Sequence, residues 1–408
     1  MEHKIIYFIV AEESTEKIYK HNSLLIEELS KKFDFIYIFN LFNLKLFSKK
    51  KKFEHKEKIN EKLYVLNFVN NSEFKKFASQ KKIVAIFIMG KDPSYFNIHY
   101  QINKFNIKLV MIMNQSQIGN TMTADINFKY LFSAYKNYFI KGFYSFFRLM
   151  TLLNIFPKIT LLFESNLEIK KFIENSRSKK IEKYLPFLKL SYFNEVITVN
   201  SIYFDKMNFF LKNKAENKKH IIYVDTHFDH PDRLSREGKV DSNKQNIFYK
   251  NLGIFLKKIS DIYNMPVKIS KHPNNQSNHD FYKFFEISKI GTDQEIFDSD
   301  IVIYTLSSAV LNAVMLRKKI INVRSELLGD YLGNINRQYV ESLGLVSFDI
   351  DKKYDLNKYE LDLDLNKSKL NYDNYINFKL MADGNNSSCK KISEVISSKF
   401  FKDKTSYV

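Results

Sequence analysis

Two runs in the second half of the chain stop at residues able to hold a phosphate group. Val267-Lys268-Ile269-Ser270 leads into Lys271-His272-Pro273, and Asp300-Ile301-Val302-Ile303-Tyr304 leads into Thr305-Leu306-Ser307-Ser308. Lysine supplies positive charge, serine hydroxyls donate hydrogen bonds, and the N–H groups at a helix start favour an anion. Histidine can carry or release a proton near neutral pH, so it can serve a group that gains negative charge during a reaction. Pro273 restrains the backbone after His272. Both runs are short, apolar and β-branched, as in a parallel strand buried on both faces. Open α/β sheets bind ligands just outside the carboxyl ends of their strands. A His-Pro pair alone is usually a turn, and a serine before a helix is usually a cap. Their joint occurrence at successive strand ends points to a phosphate-bearing ligand.

Acids at strand ends are the natural partners for proton transfer. Glu13 lies just past the run Ile5 to Val10, Asp92 follows Ile83 to Met89 and Gly90, and Asp225 ends the run His220 to Val224. Asn114, Gln115 and Ser116 follow Lys108 to Met113 and offer amides and a hydroxyl to a hydroxyl-bearing acceptor. His227, Asp229 and His230 are metal-ligand types, but they share one loop and no metal is expected. The single cysteine, Cys389, excludes an internal disulfide and a cysteine-based metal site.

The elements that must position these residues alternate along the chain. Strand-like runs at 5–10, 35–39, 63–68, 83–89 and 108–113 are separated by helix-like segments such as 21–32 and 94–105. That alternation predicts a parallel sheet wrapped by helices. A last strand at 195–199 and a helix at 201–214 close the first half, and the polar run 212–219 reads as a linker. A second alternation follows, with Phe248, Leu252, Phe255, Ile259 and Ile262 marking one helix face. Thr292 starts a short helix, and Ser307 is expected to cap a helix running to Leu316. Beyond Asp351 little periodicity shows until a final helix at 389–400. The expected domains are 1–214, 215–375 and a C-terminal helix in 376–408 that packs back on the first domain.

This pattern resembles the GT-B glycosyltransferases of bacterial surface-polysaccharide assembly, above all the sialyltransferases, polysialyltransferases and Kdo transferases that use CMP-activated donors. Their His-Pro and Ser-Ser motifs are matched by His272-Pro273 and Ser307-Ser308, and the likeness extends over residues 221–323. It implies two Rossmann-like domains facing an interdomain cleft, with the nucleotide held by the second. His272 would contact the donor phosphate and assist its departure, with Lys271, Pro273 and Thr305 beside it. Ser307 and Ser308 would bind phosphate, and Thr226 would sit in the loop under the nucleotide. Such families place their catalytic base in an acidic pair followed by glycine. Here Glu12-Glu13 is followed by Ser14. The implied activity is transfer of a sialic-acid-like nonulosonate or Kdo from a CMP donor to a surface glycan or lipid-linked acceptor, with no further cofactor.

Composition limits the partners. The net charge of +19 goes with a chain rich in Lys, Asn, Ile, Phe and Tyr, the bias of an AT-rich genome, so part of the charge is codon drift. No nucleic-acid motif accompanies it, and none is expected as a partner. Tyr135 to Phe163 interleaves aromatic and basic residues, which suits either a helix pair covering the sheet or a peripheral contact with anionic membrane. No apolar run approaches the roughly 20 residues of a membrane span, and the expected location is the cytoplasm, on or near the inner face of its membrane. Two other readings stay open: a UDP-sugar transferase or epimerase of the same fold, and a basic binding module without catalysis.

Overall fold

The computed structural model describes residues 3–10, 15–44, 56–79, 83–88, 95–113, 150, 155–175, 193–212, 219–226, 228, 234, 241–272, 275 and 279–401. The chain divides into two compact units. One comprises 1–115, 125–202 and 381–408; the other comprises 116–124 and 203–380.

In the first unit the strands are β1 (Ile5–Val10), β2 (Phe35–Asn40), β3 (Lys56–Lys58), β4 (Leu63–Asn67), β5 (Val84–Phe87), β6 (Lys108–Met113), β7 (Ile159–Glu164) and β8 (Phe193–Thr198). They form one sheet in the order β3-β4-β2-β1-β5-β6-β7-β8. Every pairing is parallel except that of the short edge strand β3 with β4. β1 shows why the alternation was legible: all its residues from Ile6 to Val10 are buried, as a strand covered on both faces requires. The helix Ser388–Phe400 returns to this unit. Ser393 donates to the Glu28 carbonyl at 3.1 Å, and the rings of Phe33 and Phe401 meet edge to face at 5.2 Å. Asn200, fully buried beyond β8, donates to the carbonyls of Gly384 and Asn386 at 2.7 Å and accepts from the Asp383 N–H at 2.8 Å.

The second unit holds β9 (Ile221–Val224), β10 (Val267–Ser270), β11 (Glu286–Ile287), β12 (Ile301–Tyr304), β13 (Lys319–Arg324) and β14 (Val346–Asp349). Their order is β11-β10-β9-β12-β13-β14, all parallel. Counted from the unit's first strand this is 3-2-1-4-5-6, the dinucleotide-fold order, with its switch point between β9 and β12. Phe248, Leu252, Phe255 and Ile259 of the helix Ser242–Tyr263 pack on Ile221, Tyr223, Ile269 and Ile303. Each such side chain contributes about 1.5–3 kcal/mol by leaving water. Asp241 caps the helix start by accepting from the Asn243 N–H, and Asn264 ends it in the left-handed region at φ +52°.

Several expectations shift. The compact units divide between Ile202 and Tyr203, at the start of the helix Ile202–Lys212, and not at the polar run 212–219. The cause is local packing: Phe210 stacks on Phe297 at 5.3 Å, and Lys206 bonds Asp293 at 2.6 Å. The end of the aromatic stretch 135–163 is a strand, β7; residues 135–149 lie outside the described residues. The region read as aperiodic contains the helix Lys358–Tyr375, which buries Leu361, Leu365, Ser368, Tyr372 and Tyr375. That is a helical period hidden because a serine occupies one core position.

Gly344 ends the helix Gly329–Leu343 at φ +59°, and a β-carbon there would lie 2.3 Å from the Asn371 Nδ2. Gly344→Ala is therefore expected to cost at least the 1–2 kcal/mol (about) of a left-handed L-residue. A lower urea midpoint at unchanged m-value would show it; an unchanged midpoint would refute it.

Candidate functional site

The strand ends of the second unit gather the polar residues. Ser270, Val224 and Tyr304 are in register across β10, β9 and β12. Lys271 and His272, Asp225 and Thr226, and Thr305 to Ser308 therefore emerge from the same edge of the sheet. His272 and the serines are not on adjacent strands, since β9 lies between. At the usual strand spacing their backbones start about 10 Å apart, so a ligand serving both lies across the end of β9. A nucleotide has that reach.

Within this group the residues do different things. Lys271 and His272 are half-buried, Ser307 is half-buried and Ser308 exposed. Ser307 Oγ accepts from the Ala309 N–H at 3.2 Å, which leaves the hydroxyl proton to be donated. The regular helix after it is only Val310–Met315, entered through a tight turn closed by Val310 N–H to the Ser307 carbonyl at 3.2 Å. The helix expected to start at Ser307 thus begins later and is short, and anion binding must rest on hydroxyls and cations more than on a macrodipole.

Thr226 and Thr305 hold the site from below. Thr226 Oγ1 donates to the Leu306 carbonyl at 2.7 Å and accepts from the Leu306 N–H at 2.8 Å, pinning the β12 loop to β9 at the switch point. Its one proton is committed, so it cannot donate to a phosphate. Thr305 is fully buried, with Oγ1 3.0 Å from the Tyr223 hydroxyl.

Asp225, the candidate acid at this edge, is enclosed by polar partners. It is 2% exposed, and its Oδ2 accepts from the Asn275 amide at 2.8 Å and from the Tyr282 hydroxyl at 3.0 Å. Held in this way through Oδ2, the carboxylate ties the end of β9 to Asn275 and Tyr282. Glu13, Asp92, Asn114, Gln115, Ser116 and Pro273 lie outside the described residues, as do His227, Asp229 and His230. Among the described residues no group of three or more metal-ligating side chains could hold an ion.

The first unit contains an acid that the sequence reading passed over. Glu164 ends β7 and is 1% exposed. Its Oε1 accepts from the Asn166 N–H at 2.8 Å, while Oε2 and the neighbouring Ser165 Oγ have no hydrogen-bond partner among the described residues. Burial pushes its carboxyl up to about 7, against the lowering effect of the Asn166 and Ser165 N–H groups. Asn166 next to it caps the helix Leu167–Glu174, accepting from the N–H groups of Glu168 and Ile169. The signal was the apolar run Ile159 to Phe163 ending on an acid before an Asn cap; it was absorbed into the aromatic stretch before it.

No family model and no curated protein matches the chain. Solved structures do. A structure provisionally described as a UDP-N-acetylglucosamine 2-epimerase from Listeria monocytogenes superposes with a TM-score of 0.51 at 11% identity, covering 98% of this chain and 97% of its own. A single-site variant of the wall teichoic acid polymerase TagF gives 0.51 at 12% identity, over 97% of this chain and 88% of that one. The same variant soaked with CDPG gives 0.50 at 14% identity. The chain has the GT-B fold. The second unit of this GT-B protein carries the 3-2-1-4-5-6 sheet and the phosphate-type residues at its switch point. Among the described residues no helix is long and apolar enough to cross a membrane.

Proposed function

We propose that this GT-B protein is a glycosyltransferase that takes a sugar from a nucleotide donor. The observation that carries the proposal is the arrangement of Lys271, His272, Ser307 and Ser308 on the strand ends flanking β9, at the switch point where such sheets bind nucleotides. The neighbours' own descriptions, a UDP-sugar epimerase and a polymerase soaked with CDPG, support a nucleotide-linked substrate. Within this reading the donor is a CMP-activated nonulosonate or Kdo, on the strength of the His-Pro and Ser-Ser pattern. The acceptor is a surface glycan or lipid-linked sugar, with Asn114, Gln115 and Ser116 on its side. The basic aromatic segment within 135–163 would make peripheral contact with anionic membrane.

The chemistry assigned to the residues is simple. The acceptor hydroxyl oxygen attacks the anomeric carbon, the bond from that carbon to the phosphate oxygen breaks, and the hydroxyl proton passes to a carboxylate base, for which Glu13 is the first candidate and Asp92 and Asp225 the others. His272 donates to the departing phosphate, and Lys271 and the serines hold it.

Thermal shift with CMP, CDP, UDP and GDP at millimolar concentration tests the proposal. CMP is expected to stabilise the protein, by about 2.7 kcal/mol where its concentration reaches a hundred times Kd. Stabilisation by UDP instead would turn the reading to a UDP-sugar transferase or epimerase. No response to any nucleotide, together with salt-sensitive binding to DNA or anionic vesicles, would overturn it in favour of a binding module.

A further inference from the structure

We propose that Tyr282 is a positioning residue that holds Lys271 and His272 by two separate parts of its side chain, the hydroxyl serving His272 and the ring serving Lys271. This rests on the reading of Lys271 and His272 as ligands of the donor phosphate. Tyr282 belongs to the short helical turn Asp280–Phe284 and is 8% exposed.

The hydroxyl sits in a network whose proton order is determined. Asp225 can only accept, so the single Tyr282 proton goes to Asp225 Oδ2 at 3.0 Å. The Tyr282 oxygen must then accept from its two other partners, the Asn275 amide at 2.6 Å and the Tyr249 hydroxyl at 3.1 Å. The same Asn275 amide also donates to Asp225 Oδ2 at 2.8 Å, so both of its protons are used. Burial and the Asp225 charge push the Tyr282 phenol far up, so it stays protonated and the order holds. Asn275 is the link to the site. Its backbone N–H donates to the carbonyl of His272, the residue that carries the imidazole, at 2.8 Å. The chain of contact runs from the end of β9 through Tyr282 and Asn275 to His272.

The ring does the second task. The Lys271 Nζ stands over the face of Tyr282, 4.7 Å from its centroid. The ring quadrupole attracts the ammonium there, which restricts a side chain that otherwise samples many rotamers. One tyrosine therefore fixes a proton donor through its oxygen and a cation through its π face, and the two tasks can be cut apart by substitution.

Tyr282→Phe keeps the ring and removes the hydroxyl, and Tyr282→Leu removes both. In the full-length protein, with the nucleotide that stabilises it as titrant, Tyr282→Phe is expected to lower kcat about 10- to 100-fold, the penalty of a misplaced catalytic group, with the donor KM and nucleotide Kd within about twofold. Tyr282→Leu should show the same kcat loss and in addition weaken the nucleotide by up to about fivefold. Peptide-level hydrogen exchange of the free protein provides a ligand-independent reading: the segment 271–275 should exchange faster in Tyr282→Phe, with β9 and β12 unchanged as internal reference. If the β9 and β12 peptides also lose protection, Asn275→Ala replaces it and must give the same faster exchange of 271–275. Wild-type exchange of 271–275 in these variants overturns the positioning role. So does equal loss of nucleotide affinity in the Phe and Leu variants. Failure of the wild-type protein to bind any nucleotide overturns the functional reading alone, and the exchange result then still decides the role of Tyr282.

Discussion

Glu164→Gln is expected to make the protein more resistant to alkaline unfolding, by about 3 kcal/mol across the interval in which the carboxyl titrates. The effect follows from burial. The carboxyl is raised from the usual 4.5 to about 7 because its charged form has little solvation at 1% exposure. The folded state therefore binds the proton more tightly than the unfolded state. Its contribution to stability is complete below pH 4.5 and is lost as pH rises through about 7. Over that interval the linkage amounts to about 3 kcal/mol, as an order of magnitude. Glutamine does not titrate, so its stability advantage over the wild type should grow by that amount between acid and mildly alkaline pH. Denaturant titrations at several pH values measure the difference, and parallel curves for the two proteins would refute the burial argument.

His272→Ala is expected to lower turnover by about two to four orders of magnitude, the range for losing a general acid, while nucleotide binding weakens far less. The departing phosphate gains charge as the glycosidic bond breaks, and a proton donor placed there stabilises the transition state more than the bound donor. Ser307→Ala should behave in the opposite way. Its hydroxyl meets the phosphate before and during bond cleavage, so its loss should mainly raise the donor KM. Steady-state kinetics on both variants separates the two patterns. If His272→Ala retains full transfer with every donor, the residue is a nucleotide ligand only. If Ser307→Ala loses kcat at constant KM, the serine acts on the transition state and the division of labour proposed here is wrong.

Much of the second unit was legible without coordinates. β10 and β12 lie where their apolar β-branched runs stand, and the helix Ser242–Tyr263 buries the predicted Phe248, Leu252, Phe255 and Ile259. The first unit was less so at β7, because four apolar residues and Thr160, following a run of aromatics, carry no boundary signal until the Glu-Ser-Asn at 164–166. The helix Lys358–Tyr375 was missed because its polar composition masks a buried stripe.

By itself the sequence determined which residues stand at strand ends, since a strand buried on both faces is written as a local apolar run and its polar successor is the next residue. Lys271, His272, Ser307 and Ser308 are known on that basis alone. Tertiary structure decided what each strand-end residue can do. Strand order places β9 between His272 and the serines, a fact carried by pairing across the sheet and by no local pattern. The two acids at strand ends, Asp225 and Glu164, read alike in sequence and part company in the fold. Asp225 is claimed by Asn275 and Tyr282, which lie 50 and 57 residues away along the chain, whereas Glu164 is left buried with a proton affinity near neutrality. The affinity of a carboxyl for its proton is set by solvation and by partners brought from a distance, and those exist only once the chain has folded.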